Sequence, residues 1–206
     1  MKTRPLLLTG FEPFGGDSVN PSWLVAQALQ GELIAGVRVQ ALCLPCVFGQ
    51  ALTVLQAAVQ QHRPQVVLAL GLAAVRGDIS VERVAVNVDD ARIADNAGAQ
   101  PIDEPVFAGG PAAYFSTLPI KAIVGALQQA GLPATVSQTA GTFVCNHVFY
   151  GLMHQLRGYR TVRAGFMHLP LLTALDLDTQ VKAVRLALSA TLHNAVDLRQ
   201  GGGSIA

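Results

Sequence analysis

The sequence predicts an α/β fold with a mostly parallel, twisted sheet, on three observations. Short apolar runs rich in Leu and Val alternate with amphipathic segments, the pattern of strands buried on both faces and joined by crossover helices. The 206 residues are 51% hydrophobic, enough for one large core. No charge run, low-complexity linker or internal repeat divides the chain, so a single domain is expected over residues 1–206.

In chain order, Pro5 to Leu8 is the first apolar run and reads as a strand. The Gly- and Pro-rich stretch from Gly10 to Pro21 reads as a functional loop, and Ser22 to Gln30 as a helix. A strand at Val37 to Leu44, a helix at Phe48 to Gln61 and a buried strand at Val66 to Leu70 continue the alternation. Ser80 to Val88 alternates apolar and polar residues as a strand does, and Asp89 to Pro111 carries the residue types of a second functional loop. Then follow a helix at Pro119 to Gln129, a strand at Ala134 to Gln138, a helix at Cys145 to Leu156, a strand at Val162 to Leu169 and a helix at Thr179 to Val196. The tail Gln200-Gly-Gly-Gly-Ser-Ile-Ala is too rich in Gly to pack and is expected to be mobile.

The bulk composition excludes several classes of function. A formal net charge of +1, with 13% charged and 6% aromatic residues, offers no basic stripe for nucleic acid and no electrostatic hold on a membrane. Lys2 and Arg4 precede the apolar Leu6-Leu7-Leu8, but Gly10, Glu12 and Gly15-Gly16 end that run too early for an export signal. Val66 to Val75 is about half the length a membrane helix needs. Three unevenly spaced cysteines argue for reduced thiols and a cytoplasmic protein.

Cys145 follows Ala140-Gly-Thr-Phe-Val and opens an amphipathic run, which puts its sulfur at a helix N-terminus just after a Gly-containing turn. Unpaired N–H groups and the helix dipole there favour thiolate over thiol and can hold an oxyanion. The competing reading is a buried structural cysteine.

A cysteine nucleophile needs a base, and five histidines compete. On a helix turning by about 100° per residue, His147 and His154 point away from Cys145, and His154 is about 13 Å up the axis. His62, beside Arg63 and Pro64, and His193, among polar neighbours, look solvated. His168 ends the apolar run Ala164-Gly-Phe-Met-His-Leu-Pro, at the carboxyl end of a strand where open α/β sheets place their clefts. It is the candidate base. Glu82 alternates onto the face shared with Val84, Val86 and Val88, where an unpaired carboxylate is costly. Pairing with His168 would offset that cost and fix the imidazole tautomer; a salt bridge to Arg83 or a solvated strand end would also account for it.

Three segments together closely resemble the pyrrolidone-carboxylate peptidase (pyroglutamyl peptidase I) family. They are Gly10-Phe-Glu-Pro-Phe-Gly-Gly with Asn20-Pro21-Ser22-Trp23, then Ile79-Ser-Val-Glu-Arg-Val-Ala-Val-Asn with Asp90-Ala-Arg-Ile-Ala-Asp-Asn-Ala-Gly, and Val136-Ser-Gln-Thr-Ala-Gly-Thr-Phe-Val-Cys-Asn. The resemblance implies a three-layer α/β/α sandwich, an exopeptidase acting on peptides with an N-terminal pyroglutamate, no cofactor or metal, and a homo-oligomer. It puts nucleophile, base and acid on Cys145, His168 and Glu82, and Arg92 and Asp95 in a supporting neighbourhood, with Arg92 polarising the carbonyl. A lactam without charge calls for apolar walls, which Phe11, Phe14, Phe143 and Val144 would supply. One departure stands out: Gly71-Leu-Ala-Ala-Val-Arg carries Leu72 where the family has a Gln associated with the substrate pocket.

Two other functions remain open on the sequence. Cys43-Leu-Pro-Cys46 between a strand and a helix could be a redox dithiol, and Leu72 could mark a binder of cyclised N-termini that does not cut them.

Overall fold

A computed structural model describes residues 4–159 and 161–203. Its elements are, in order, β1 (Leu6–Phe11), α1 (Pro21–Ala28), β2 (Leu33–Ile34), β3 (Val37–Leu44), α2 (Gln50–His62), β4 (Val66–Leu72), β5 (Ile79–Glu82), β6 (Val84–Val86), β7 (Ala113–Phe115), α3 (Ile120–Gln129), β8 (Ala134–Ser137), α4 (Val144–Leu156), β9 (Arg163–Leu169) and α5 (Leu177–His193).

The uninterrupted apolar runs of β1 and β4 are wholly buried, because helices cover both faces of the sheet they form. Seven strands lie in the order β2-β3-β1-β4-β9-β5-β8. β3, β1, β4 and β9 are mutually parallel, whereas β2 runs against β3 and β5 against β9. β8 is parallel to β5. Period-two alternation divides the strand side chains between two cores. Leu6, Leu8, Leu68, Leu70, Val81 and Met167 pack with α1, α3 and α5; Leu7, Val67, Ala69, Ala164 and Phe166 pack with α2 and α4. The result is the three-layer α/β/α sandwich with a mostly parallel sheet.

Local chemistry sets the helix starts. Asn20 caps α1 by accepting from the Ser22 N–H, with Pro21 at the first helical position. Asp176 caps α5 by accepting from the Thr179 N–H at 2.9 Å, so that helix begins two residues before the expected Thr179 and ends at His193 rather than Val196.

The expected strand from Ser80 to Val88 divides at Arg83. Its N–H donates to the Ser137 carbonyl and its carbonyl accepts from Ser116, which turns the chain out of the main sheet. β6 then pairs with β7 in a separate two-stranded sheet. The alternation that placed Glu82 with Val84, Val86 and Val88 therefore stops at Glu82. The short strands β2 and β7, of two and three residues, were not anticipated. In the tail, the Gly202 carbonyl accepts from Arg83 at 2.7 Å. Residues 204–206 lie outside the described residues. No helix among the described residues is long and apolar enough to cross a membrane.

Candidate active site

β4 and β9 end side by side at the carboxyl edge of the parallel strands, and β5, running the other way, and the start of α4 meet them there. In β9, Ala164, Phe166 and His168 share the face that packs against α4. Gly71 in β4 is the register partner of His168, and Ser80 of β5 pairs with His168 from the other side. Glu82, two residues beyond Ser80, faces the same way. Its Oε1 lies 2.8 Å from His168 Nδ1, and both side chains are buried. A carboxylate cannot donate, so Nδ1 carries the proton of that bond in either charge state of the ring, and Nε2 is the nitrogen left for the cleft.

Cys145 is the second residue of α4. Its sulfur occupies the space above Gly71: a Cβ at position 71 would stand 2.8 Å from Sγ and 2.8 Å from Phe166 Cζ. Sγ is therefore packed over the residue that pairs with His168, although it makes no hydrogen bond to the ring. Contacts of this kind commonly tighten when substrate arrives.

The turn before α4 owes its shape to Gly141, at φ 78°. No side chain caps α4, so its first-turn N–H groups remain free to meet an anion. Asn146 fixes the helix start laterally. Its side chain accepts from Val86 N–H at 3.0 Å and donates to the carbonyls of Val86 and Val88 at 2.9 and 3.0 Å.

The expected fall in the thiol pKa is overturned. Burial pushes the Cys145 thiol up, Cys46 and Glu82 add to the rise, and Arg76 alone opposes it. The helix start is present, but desolvation outweighs it. Cys43 and Cys46 are also free thiols pushed up by burial, with Glu12 adding to the rise in both, and Cys46 reaches about 12. A redox dithiol needs an accessible thiolate, and burial works against one here as it does at Cys145.

The aromatic candidates separate into two groups. Phe11 and Val144 are buried in the core beneath α4, with the Phe11 ring 6.5 Å from that of Phe166. Phe14 and Phe143 are half-buried and face each other at 6.0 Å, and Phe48 meets Phe143 edge-on at 5.4 Å. Asp95 acts on this group through Phe48, whose N–H it accepts at 2.8 Å, and also accepts from Ala97 and Ala99. Burial pushes its carboxyl up, but backbone N–H bonds from Phe48, Ala99, Ala97 and Gly98 outweigh that and hold it below the usual range. Arg92 is exposed and makes no hydrogen bond among the described residues. It lies on the loop between Asp95 and Asp90, whose carbonyl accepts from the Thr142 hydroxyl at 2.7 Å.

Two sets of contacts at this edge were not anticipated from sequence. Arg76, not Arg83, is the cation on Glu82, at 2.7 Å from Oε1. His147 does point away from Cys145, but it is not idle: Nδ1 lies 2.7 Å from Asp89 Oδ2 and Nε2 accepts from the Gly49 N–H at 3.0 Å. Leu72, at the end of β4, is buried but belongs to neither core, and alternation turns its side chain away from the face of Gly71 and Cys145.

Residues 4–196 match the family model for pyroglutamyl peptidase. The chain is 59% identical to the pyrrolidone-carboxylate peptidase of Chromobacterium violaceum, covering 100% of both, and 56% identical to that of Klebsiella pneumoniae, covering 97% of this chain and 98% of the relative. Among solved structures, pyroglutamyl peptidase I of Bacillus amyloliquefaciens superposes with a TM-score of 0.92 at 42% identity, over 95% of this chain and 100% of that one. The pyrrolidone carboxyl peptidase of Thermococcus litoralis gives 0.89 at 38% identity, over 93% and 94%. By sequence along its length and by fold, the chain belongs to the pyroglutamyl peptidase family.

Proposed function

We propose that the protein removes an N-terminal pyroglutamyl residue from peptides through an acyl-enzyme on Cys145. The observation that carries this reading is the buried bond between His168 Nδ1 and Glu82 Oε1 at 2.8 Å, beside the residue over which Sγ is packed.

The raised thiol pKa shapes the mechanism. A thiol held neutral by burial reacts by giving up its proton as it attacks. Sγ bonds to the pyroglutamyl carbonyl carbon while its proton passes to His168 Nε2, and Glu82 holds the imidazolium by Nδ1–H. The oxyanion is met by the free N–H groups at the start of α4. His168 then gives the proton to the leaving amine, the C–N bond breaks, and a thioester remains. Water, deprotonated by His168, attacks the thioester, and release of pyroglutamate returns the proton to Sγ.

Phe14 and Phe143 suit the walls of a lactam pocket better than Phe11 and Val144, which underlie it in the core and fix the start of α4. Asp95 supports the site by holding Phe48 against Phe143. Arg92 serves in this reading as the cation of the loop bonded to Thr142, available to polarise the carbonyl under attack.

The test is release of a chromophore from a pyroglutamyl-arylamide. Cys145→Ala is expected to abolish turnover, whereas Cys43→Ala and Cys46→Ala keep it. Equal loss in all three variants would sink the reading.

A further inference from the structure

Glu82 Oε1 receives two donors, His168 Nδ1 at 2.8 Å and Arg76 Nη1 at 2.7 Å, while its Oε2 is buried without a partner. Arg76 also reaches Ser137 Oγ from Nη1 at 3.3 Å and the Thr139 carbonyl from Nη2 at 2.9 Å. Thr139 begins the turn that delivers Cys145 to the start of α4, and its Oγ1 accepts from the Gly141 N–H at 3.0 Å. One guanidinium therefore joins the carboxylate that holds the imidazole to the turn that carries the thiol. Only an arginine fork can do both at once.

Charge makes the same point. A neutral thiol, a neutral imidazole and the Glu82 carboxylate sum to one negative charge, on a side chain with no exposure. Such a charge is costly without a partner. With Arg76 the group is neutral, and after proton transfer it alternates as thiolate, imidazolium, carboxylate and guanidinium. Without Arg76 the thiolate would form inside a site that already carries an uncompensated anion.

Among the described residues only Arg76 and His168 bring a cationic group to Glu82, and Arg92, exposed on the loop bonded to Thr142, makes no hydrogen bond to it. Around Cys145 stand Cys46 from the loop after β3, Glu82 from β5, Arg76 from the loop after β4 and His168 from β9. Arg83, next to Glu82, faces the other way and donates to the Gly202 carbonyl at 2.7 Å. Asp78, before β5, is engaged by Ser80 and Thr135. β8 brings no charged residue. Asp89, on the far side of α4, is paired with His147.

We infer that Arg76 is a positioning residue of the hydrolytic reaction: its cation balances Glu82 and favours the thiolate–imidazolium form of Cys145 and His168, while its fork ties that carboxylate to the turn at Thr139. This inference rests on the Cys145, His168 and Glu82 reading given above.

Two pH profiles test it, kcat/KM on a pyroglutamyl-arylamide and the rate of Cys145 alkylation by iodoacetamide. In Arg76→Gln and Arg76→Met the acid limb of both profiles is expected to move up by about one pH unit, because removing a nearby cation disfavours the thiolate. Arg76→Lys, which keeps the charge and loses the fork, is expected to restore the limb while kcat stays severalfold low. Unshifted limbs in the neutral variants would overturn the inference and leave Arg76 a structural role. So would failure of both neutral variants to fold beside a folded Arg76→Lys with the wild-type profile in every respect. The parent reading fails separately: His168→Ala retaining turnover would remove the triad, whereas inactive Cys145→Ala and His168→Ala with unshifted Arg76 variants would remove only the role of Arg76.

Discussion

Gly71→Ala adds a single methyl group where the structure leaves space for Cys145 Sγ. Gly71 is not in the left-handed region, so alanine brings no backbone strain and the effect is one of contact. The new Cβ would lie 2.8 Å from Cys145 Sγ and 2.8 and 2.9 Å from Phe166 Cζ and Cε1. Comfortable contacts between carbon atoms lie at about 3.5–4.0 Å, so about 1 Å must be found. Phe166 has little room to yield, since its ring is fully buried and sits 5.8 Å from Phe149 and 4.9 Å from His168. The sulfur, held by one rotatable bond, is the atom that moves. A displacement of about 1 Å in a reacting group costs about 10²-fold in rate, equivalent to about 2.7 kcal/mol of barrier. Overpacking adds about 1–3 kcal/mol of lost stability. Gly151→Ala is the control: its Cβ would collide with the Leu52 side chain in the contact between α4 and α2. It should lower the melting temperature and leave kcat/KM per titrated thiol near wild type. A folded Gly71→Ala within threefold of wild-type kcat/KM would refute the argument that Gly71 makes room for Sγ.

Two further variants probe the carboxylate and the departure at position 72. Glu82→Gln keeps the shape and removes the charge that both His168 and Arg76 use, and kcat is expected to fall at least 10²-fold, by analogy with loss of the carboxylate from other triads. Asp103→Asn is its exposed counterpart, at φ 51° where asparagine is tolerated, and should be neutral; steady-state kinetics giving full activity to Glu82→Gln would take that residue out of the mechanism. Leu72→Gln should leave KM within threefold, because the side chain points away from the face of Cys145, and should lower the melting temperature as a buried amide seeks partners. A tenfold change in KM would show that residue 72 reaches the substrate with its side chain.

Much of the scaffold was legible because its signals are local. The buried runs of β1, β4 and β9 and the amphipathic helices announce themselves in windows of a few residues. Cys145 was legible for the same reason, since Gly141 and the amphipathic run that follows it define a helix start. The place of His168 near the end of a buried strand was legible for the same reason. What failed was whatever depended on a non-local partner. The break at Arg83 needs the carbonyl of Ser137 and the N–H of Ser116, more than thirty residues away, and nothing in Ile79 to Val88 itself ends a strand there. Helix-start reasoning likewise predicted the field at Cys145 but not the burial around it, because desolvation comes from residues that chain order keeps apart.

The choice of cation for Glu82 shows the same limit and explains what the site gains from it. Arg83 is adjacent in sequence, yet adjacent strand residues point to opposite faces, so a neighbour is the residue least able to pair with Glu82 inside the sheet. A partner on the correct face has to return from elsewhere, and the loop after β4 brings Arg76 across the ends of β5 and β8 to do so. Being delivered by a loop, the guanidinium can contact Thr139 as well as Glu82, which no residue of β5 could achieve. The same geometry that hides this cation from a reading of the sequence lets one side chain couple the carboxylate to the turn before Cys145.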